Sequence, residues 1–201
     1  FIGVGLWSGR KAQLGERNLS GVISAVDFLV AARGSQGKDV VIPKSVAVIG
    51  AGDTGMDCAA TAKLLGAENV TVFCRGAKVP AYHEELKFVQ SLGINVATQF
   101  SPQQFFGDDA VHGIMAQHAD GYSELKLKAE LVIYAIGQNI AAGEAFAGVT
   151  IEGNKIITQD FQTSKAHIFA AGDATNGGST VVQAVKEAKL AATAMLKFLA
   201  D

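Results

Sequence analysis

Two cysteines in 201 residues, Cys58 and Cys74, are too few for a disulfide scaffold or an iron–sulfur site. They also lack the C-x-x-C spacing of a redox dithiol and read as reduced, buried packing residues of a cytoplasmic protein. Neither sign of charge dominates: 17 lysines and arginines stand against 19 acidic residues, a net charge of −2, which speaks against a nucleic-acid binder. Apolar runs such as 131–137 and 168–172 fall far short of the roughly 20 residues a membrane helix needs. No charged head and apolar body of a secretory signal is present. The histidines at 112, 118 and 167 are scattered, without metal-ligand spacing. Phe1 falls inside a strand-like run, so the chain reads as a fragment or a processed product.

Glycine is in surplus, with 23 residues, about 11% against a usual 7% or so. With only three prolines beside it, this is not linker composition; it suits close backbone approaches of the kind α/β nucleotide-binding folds require. Hydrophobic residues at 49% and charged residues at 18% describe a globular chain with a sizeable core. Short apolar strands alternate with longer helical stretches, which predicts an α/β fold with a parallel sheet and helices on its faces. The expected order is a strand at 1–5, a helix at 21–32 capped by Ser20, and a polar, glycine-bearing linker at 33–39, with a domain boundary near Lys44. Next come a strand at 45–49, a helix to about 65, a strand at 70–74, and a helix at 82–92 closed by Gly93. The segments 95–99, 103–106, 111–117 and 124–128 alternate like an antiparallel meander, and 131–136 returns as a buried strand. A hairpin at 149–157 turns on Gly153-Asn154, a strand at 167–171 ends in Gly172-Asp173, and a helix at 180–199 closes the chain. The stripe of Val181, Val185, Ala188, Ala192, Met195 and Leu199 predicts one buried face on that helix.

The run Gly50-Ala-Gly-Asp-Thr-Gly55 follows an apolar strand, opens a helix and sits inside a βαβ unit, the context that gives a GxGxxG its meaning. Gly50 permits the tight turn, Gly52 lets a pyrophosphate approach the backbone, and Gly55 with Ala59 and Ala62 lets the helix pack close to the strands. The N–H groups and the dipole of the helix start then hold the phosphate. NAD sites place an acidic residue about 20 residues further on, to bond the ribose 2′-hydroxyl. Here Arg75 stands 20 residues after Gly55. An arginine cannot accept those bonds but pairs with a 2′-phosphate, so the motif predicts NADP(H) over NAD(H), with Lys78 as a second cation. The alternative is a solvated surface arginine.

A second pattern lies in 163–182. A strand ending in Gly172-Asp173 puts a carboxylate at the sheet's carboxyl edge. Gly177 and Gly178 then open the approach to a helix start. The other reading of Asp173 is a cap on the following turn. Three stretches together, 46–60 (VAVIGAGDTGMDCAA), 70–88 (VTVFCRGAKVPAYHEELKF) and 163–182 (TSKAHIFAAGDATNGGSTVV), resemble the two-dinucleotide flavoprotein reductases. Within them the chain is similar to the small subunit of glutamate synthase and the corresponding domains of dihydropyrimidine dehydrogenase. Residues 1–5 and 21–29 fit the segment preceding the NADPH domain of that family, so the resemblance spans essentially the whole chain.

That resemblance implies an NADPH site at Gly50, Gly52, Asp53, Thr54, Gly55 and Arg75, and a crossing segment between domains at 135–138, including Ile136 and Gly137. It implies an FAD site in which Gly172 and Asp173 face the ribityl and pyrophosphate region, with Thr180, Val181 and Val182 beneath the flavin ring. The domains would be 1–43, part of the FAD domain and a linker; 44–138, the NADPH-binding Rossmann-like domain; and 139–201, the C-terminal part of the FAD domain. The implied activity is hydride transfer from NADPH to FAD and onward to an iron–sulfur or flavin partner, with no membrane, metal or nucleic acid involved. No side-chain acid or base is needed, and no catalytic residue is expected. Three departures qualify the resemblance. Gly76 stands where the family has a second arginine, no cysteine pair supports a disulfide relay, and there is only one GxGxxG, in the NADPH position. The adenosine half of the FAD site is therefore expected to be missing from these residues. Two readings stay open: the pyridine-nucleotide part of an FAD oxidoreductase, or a binding module that holds NADP(H) without FAD or turnover of its own. His83, Glu84 and Glu85 suit a helix start by charge, and Trp7 reads either as packing or as cover for a cofactor edge.

Overall fold

The computed structural model describes residues 1–10, 14, 19–34, 40–140, 146 and 148–200. The chain forms two compact units, one of residues 9–137 and one of 1–8 with 138–201. It passes between them twice, at the two-residue strands β1 (Ser8–Gly9) and β10 (Gln138–Asn139).

In the first unit, β2 (Val22–Ser24), β9 (Leu131–Tyr134), β3 (Ser45–Ile49), β4 (Asn69–Cys74) and β5 (Asn95–Thr98) form a parallel five-stranded sheet in that spatial order. Every residue of β3 and β9 is buried, which is why 46–49 and 131–134 read as unbroken apolar runs. The period of two sorts their side chains onto two faces. Val46, Val48, Val72 and Ile133 pack with α1 (Ala25–Gly34), α2 (Asp53–Leu64) and α3 (His83–Ser91). Ala47, Ile49, Phe73, Val132 and Tyr134 face the antiparallel meander of β6 (Phe100–Phe106), β7 (Gly113–His118) and β8 (Glu124–Lys128). Val48, Val72 and Ile133 are fully buried, each contributing about 1.5–3 kcal/mol.

The structure corrects four expectations here. Residues 22–24 are strand rather than helix, because Val22 and Ile23 pair with Val132 and Ile133. The helix begins at Ala25, capped by Ser24, whose Oγ accepts the Asp27 N–H at 3.1 Å and donates to Asp27 Oδ2 at 2.7 Å, so Ser20 is not the cap. Residues 95–98 belong to the parallel sheet, not the meander; Gln99, at φ 62°, turns the chain between the two. The boundary expected near Lys44 falls inside this unit, since β2 and α1 complete its sheet and core. Of the expected linker, residues 35–39 lie outside the described residues.

In the second unit, the hairpin of β11 (Ile151–Glu152) and β12 (Lys155–Ile156) turns through Gly153 and Asn154 at φ 54° and 68°, as the Gly-Asn pair predicts. Ile2 bridges Ala170 in parallel and Gln162 bridges Phe169 antiparallel, isolated bridges where full strands were expected at 1–5 and 167–171. The short helix α4 (Asp173–Asn176) precedes α5 (Val181–Ala200). The expected buried stripe on α5 is overturned: only Ala191 is buried, and Val181 and Leu199 are 80% and 77% exposed. Spacing marks an apolar face; it does not supply what covers it. No described helix is long and apolar enough to cross a membrane.

Candidate functional site

The carboxyl ends of β3, β4 and β9 are laced together. The Gly50 N–H donates to the Phe73 carbonyl at 3.0 Å, and the Ala135 N–H donates to the Ile49 carbonyl at 2.8 Å. Gly50 sits at φ 112°, and a β-carbon there would meet the Ala135 carbonyl. A β-carbon on Gly55 would meet the Gly50 carbonyl, so the first turn of α2 rests directly on the strand end; Ala59 and Ala62, both fully buried, continue that close approach. Gly52 differs. It is the N-cap of α2, at φ −79° and ψ 178°, with no side-chain capping bond, and a β-carbon added to it would touch nothing within 4 Å. The helix start therefore opens onto free space, with its dipole and N–H groups facing it.

Registry gathers the other predicted residues of this unit at the same edge. Ile49 pairs with Phe73 and with Tyr134, so Gly50–Gly52, Arg75 and Ile136–Gly137 all lie just beyond the strand ends. Arg75 and Lys78 are exposed, and neither has an ion-pair partner among the described residues. Ile136 is partly exposed, and the Gly137 carbonyl accepts the Arg10 N–H at 3.0 Å. Thr54 is half-buried in the first turn of α2. Asp53 is exposed there, and its Oδ1 accepts the Tyr82 backbone N–H at 2.9 Å. Glu84 and Glu85 stand in the first turn of α3, where its dipole favours them. Cys58 and Cys74 are both buried free thiols, and burial pushes the Cys58 thiol up to about 12, far from a reactive thiolate.

The predicted residues at 172–182 are placed in the other unit. Gly172, at φ 78° and ψ −157°, precedes α4. Asp173 Oδ1 accepts the Ser179 N–H at 3.0 Å, the turn-capping role, which leaves Oδ2 without a partner among the described residues. Thr180 caps α5, its Oγ1 accepting the Gln183 N–H at 3.2 Å, and Val181 and Val182 stand exposed at the helix start. Trp7 is 63% exposed and so is not packed into a core.

Glu187 is a residue that sequence motifs did not reveal. Its carboxylate accepts from the Gly172 N–H at 2.8 Å, from Gln183 Nε2 at 2.8 Å and from Asn176 Nδ2 at 3.1 Å, tying α5 to the Gly172-Asp173 turn. The Gln183 amide, followed by those of Asn176 and Gly172, holds this carboxyl below the usual glutamate range, against the upward push of burial. A depressed folded-state value stabilises fully above the ordinary pKa of about 4.3, and that stabilisation is lost as the pH falls through the folded value. Glu187→Gln, which keeps one acceptor for these donors, is expected to cost about 1–2 kcal/mol at neutral pH. The difference in Tm between variant and wild type should shrink on acidification below about pH 4. A difference that persists unchanged at low pH would contradict the assignment.

A parallel sheet with a glycine turn and an open helix start at its carboxyl edge is the architecture of dinucleotide-binding α/β folds. The family model described as pyridine nucleotide-disulphide oxidoreductase matches residues 10–188, and the chain belongs to that family. Over 99% of its length it is 40% identical to the NAD-dependent dihydropyrimidine dehydrogenase subunit PreT of Escherichia coli K12, covering 47% of that protein. It is 28% identical to the glutamate synthase [NADPH] small chain of Azospirillum brasilense, over 96% of this chain and 47% of that one. In fold it matches FprA from Mycobacterium tuberculosis in complex with NADPH, with a TM-score of 0.78 at 16% identity, covering 98% of this chain and 63% of FprA. The chain thus spans about half the length of the curated relatives it matches.

Proposed function

We propose that residues 9–137 bind NADP(H) and that 1–8 with 138–201 form part of an FAD site, in a protein that oxidises NADPH and passes electrons to a partner subunit or domain. The observation that carries the reading is the open turn at Gly52 beside Arg75 and Lys78, two cations without ion pairs among the described residues. Gly50 and Gly55 shape the turn, and Gly52, Asp53 and Thr54 line it. The α2 start suits a pyrophosphate, and the two cations suit a 2′-phosphate. Ile136 and Gly137 sit where the nucleotide would leave the sheet edge. The family description supports pyridine nucleotide as the ligand class, and relatives named for NAD and for NADPH both occur, so the choice of NADP(H) rests on Arg75 and Lys78.

The residues at 172–182 fit one portion of a flavin: Asp173 Oδ2 as a hydroxyl acceptor, and the Thr180–Val182 helix start beneath the ring. Bound nicotinamide and flavin would supply the redox chemistry, while the chain binds and aligns them. The iron–sulfur or flavin partner is proposed on the names of the relatives, which are subunits of larger enzymes, with glutamate synthase as the first reading and dihydropyrimidine dehydrogenase as the alternative. Titration with NADPH should give a markedly lower Kd than titration with NADH; equal affinities would sink the assignment. The chain alone is expected to purify with little or no flavin absorbance, the outcome that the NADP(H)-binding module reading requires. A stoichiometric yellow cofactor would refute that.

A further inference from the structure

We infer that Asp53 is a positioning residue: its carboxylate latches the loop that carries Arg75 and Lys78 onto the phosphate turn, and so sets the discrimination between nucleotides with and without a 2′-phosphate. The inference rests on the nucleotide reading above and deepens it. An aspartate beside an anion-binding turn is electrostatically adverse to the ligand, so its presence calls for a compensating role. The structure supplies one. Asp53 Oδ1 accepts the backbone N–H of Tyr82, 29 residues away, at 2.9 Å, and beside it the Ala81 N–H donates to the Ala51 carbonyl at 3.2 Å. These two bonds fasten the far end of the 75–82 loop to the start of α2. At its near end the Cys74 thiol donates to the Lys78 carbonyl at 3.7 Å, and the Gln99 N–H donates to the Gly76 carbonyl at 3.2 Å. Val79 and Ala81 pack against the core between these points. The loop is held on both sides, and the side chains of Arg75 and Lys78 project from it without ion pairs among the described residues. Such preorganisation lowers the entropy lost when the cations close on a phosphate.

Tyr82 precedes α3, and no side chain caps that helix, so Asp53 joins the starts of α2 and α3. Without the latch the Ala81–Ala51 bond and the apolar contacts still hold the loop near its place, so the loss should appear in affinity rather than in folding.

The test measures Kd for NADPH and for NADH on the full chain, with Tm as the folding control. Asp53→Asn keeps an oxygen for the Tyr82 N–H and removes the adverse charge, so the NADPH preference should be retained. Asp53→Ala removes the acceptor and should reduce the preference roughly five- to tenfold. Tyr82→Pro removes the donor at a residue whose φ of −58° suits proline, and should reproduce the Asp53→Ala ratio. Should Asp53→Ala weaken both nucleotides equally, Asp53 contacts the ligand directly and the proposal fails. It also fails if Asp53→Asn loses the preference as fully as Asp53→Ala. A wild-type chain without NADPH preference overturns the nucleotide reading itself, and that result is visible before any substitution.

Discussion

Arg75→Ala is expected to raise the Kd for NADPH roughly tenfold and to leave that for NADH within about twofold; Arg75→Ala with Lys78→Ala should reach roughly 10- to 100-fold. Arg75 follows β4 at the sheet edge shared with the Gly50–Gly55 turn, and the β3–β4 registry carries Arg75 past the strand end together with Ala51 and Gly52. A guanidinium there would meet a ribose phosphate through charge-assisted bonds and would offer nothing to a 2′-hydroxyl that needs an acceptor. Both cations are exposed, so their contribution is screened, and the NADPH preference should decline as ionic strength rises. A preference untouched by either substitution would move the 2′-phosphate contact elsewhere.

The parts of this structure legible in the sequence are those governed by local pattern. The runs VAVI and LVIY are buried on both faces and show as unbroken apolar stretches, while the glycine spacing at 50, 52 and 55 together with Ala59 and Ala62 announces a helix pressed onto a strand. What escaped was decided by distant partners. Residues 22–24 are strand only because β9, more than 100 residues later, pairs with them. Residues 95–98 alternate like their neighbours, yet they hydrogen-bond to β4 as a parallel edge. The α5 stripe has an unambiguous helical period, but its exposure depends on what packs against it, and no period encodes that. The partners of Asp53 and Glu187 belong to the same class. A carboxylate that accepts a backbone N–H 29 residues away, or three donors across a turn, has no spacing signature. The candidate site is thus legible where the chain would meet a ligand, and illegible where the chain holds itself in shape.

The glycines of the turn separate those two functions. Gly50→Ala is expected to destabilise the 9–137 unit by about 2–4 kcal/mol, because the new β-carbon would meet the Ala135 carbonyl at a φ of 112° that L-residues avoid. At about 2–4 °C per kcal/mol, the Tm of that unit should fall by roughly 5–15 °C. Gly55→Ala tests the same contact from the helix side. Propensity alone would favour alanine by about 1 kcal/mol inside a helix, so a net loss of stability shows that the clash with the Gly50 carbonyl outweighs it. Gly52→Ala should behave in the opposite way. Its backbone angles are open to alanine and nothing lies within 4 Å of the added carbon, so Tm should hold within about a degree. That carbon does occupy the space through which a phosphate would reach the α2 start, so the affinity for both nucleotides should fall by at least tenfold. Nucleotide affinity unchanged in Gly52→Ala would mean that the open space above α2 is not where the phosphates lie, however stable the turn proves to be.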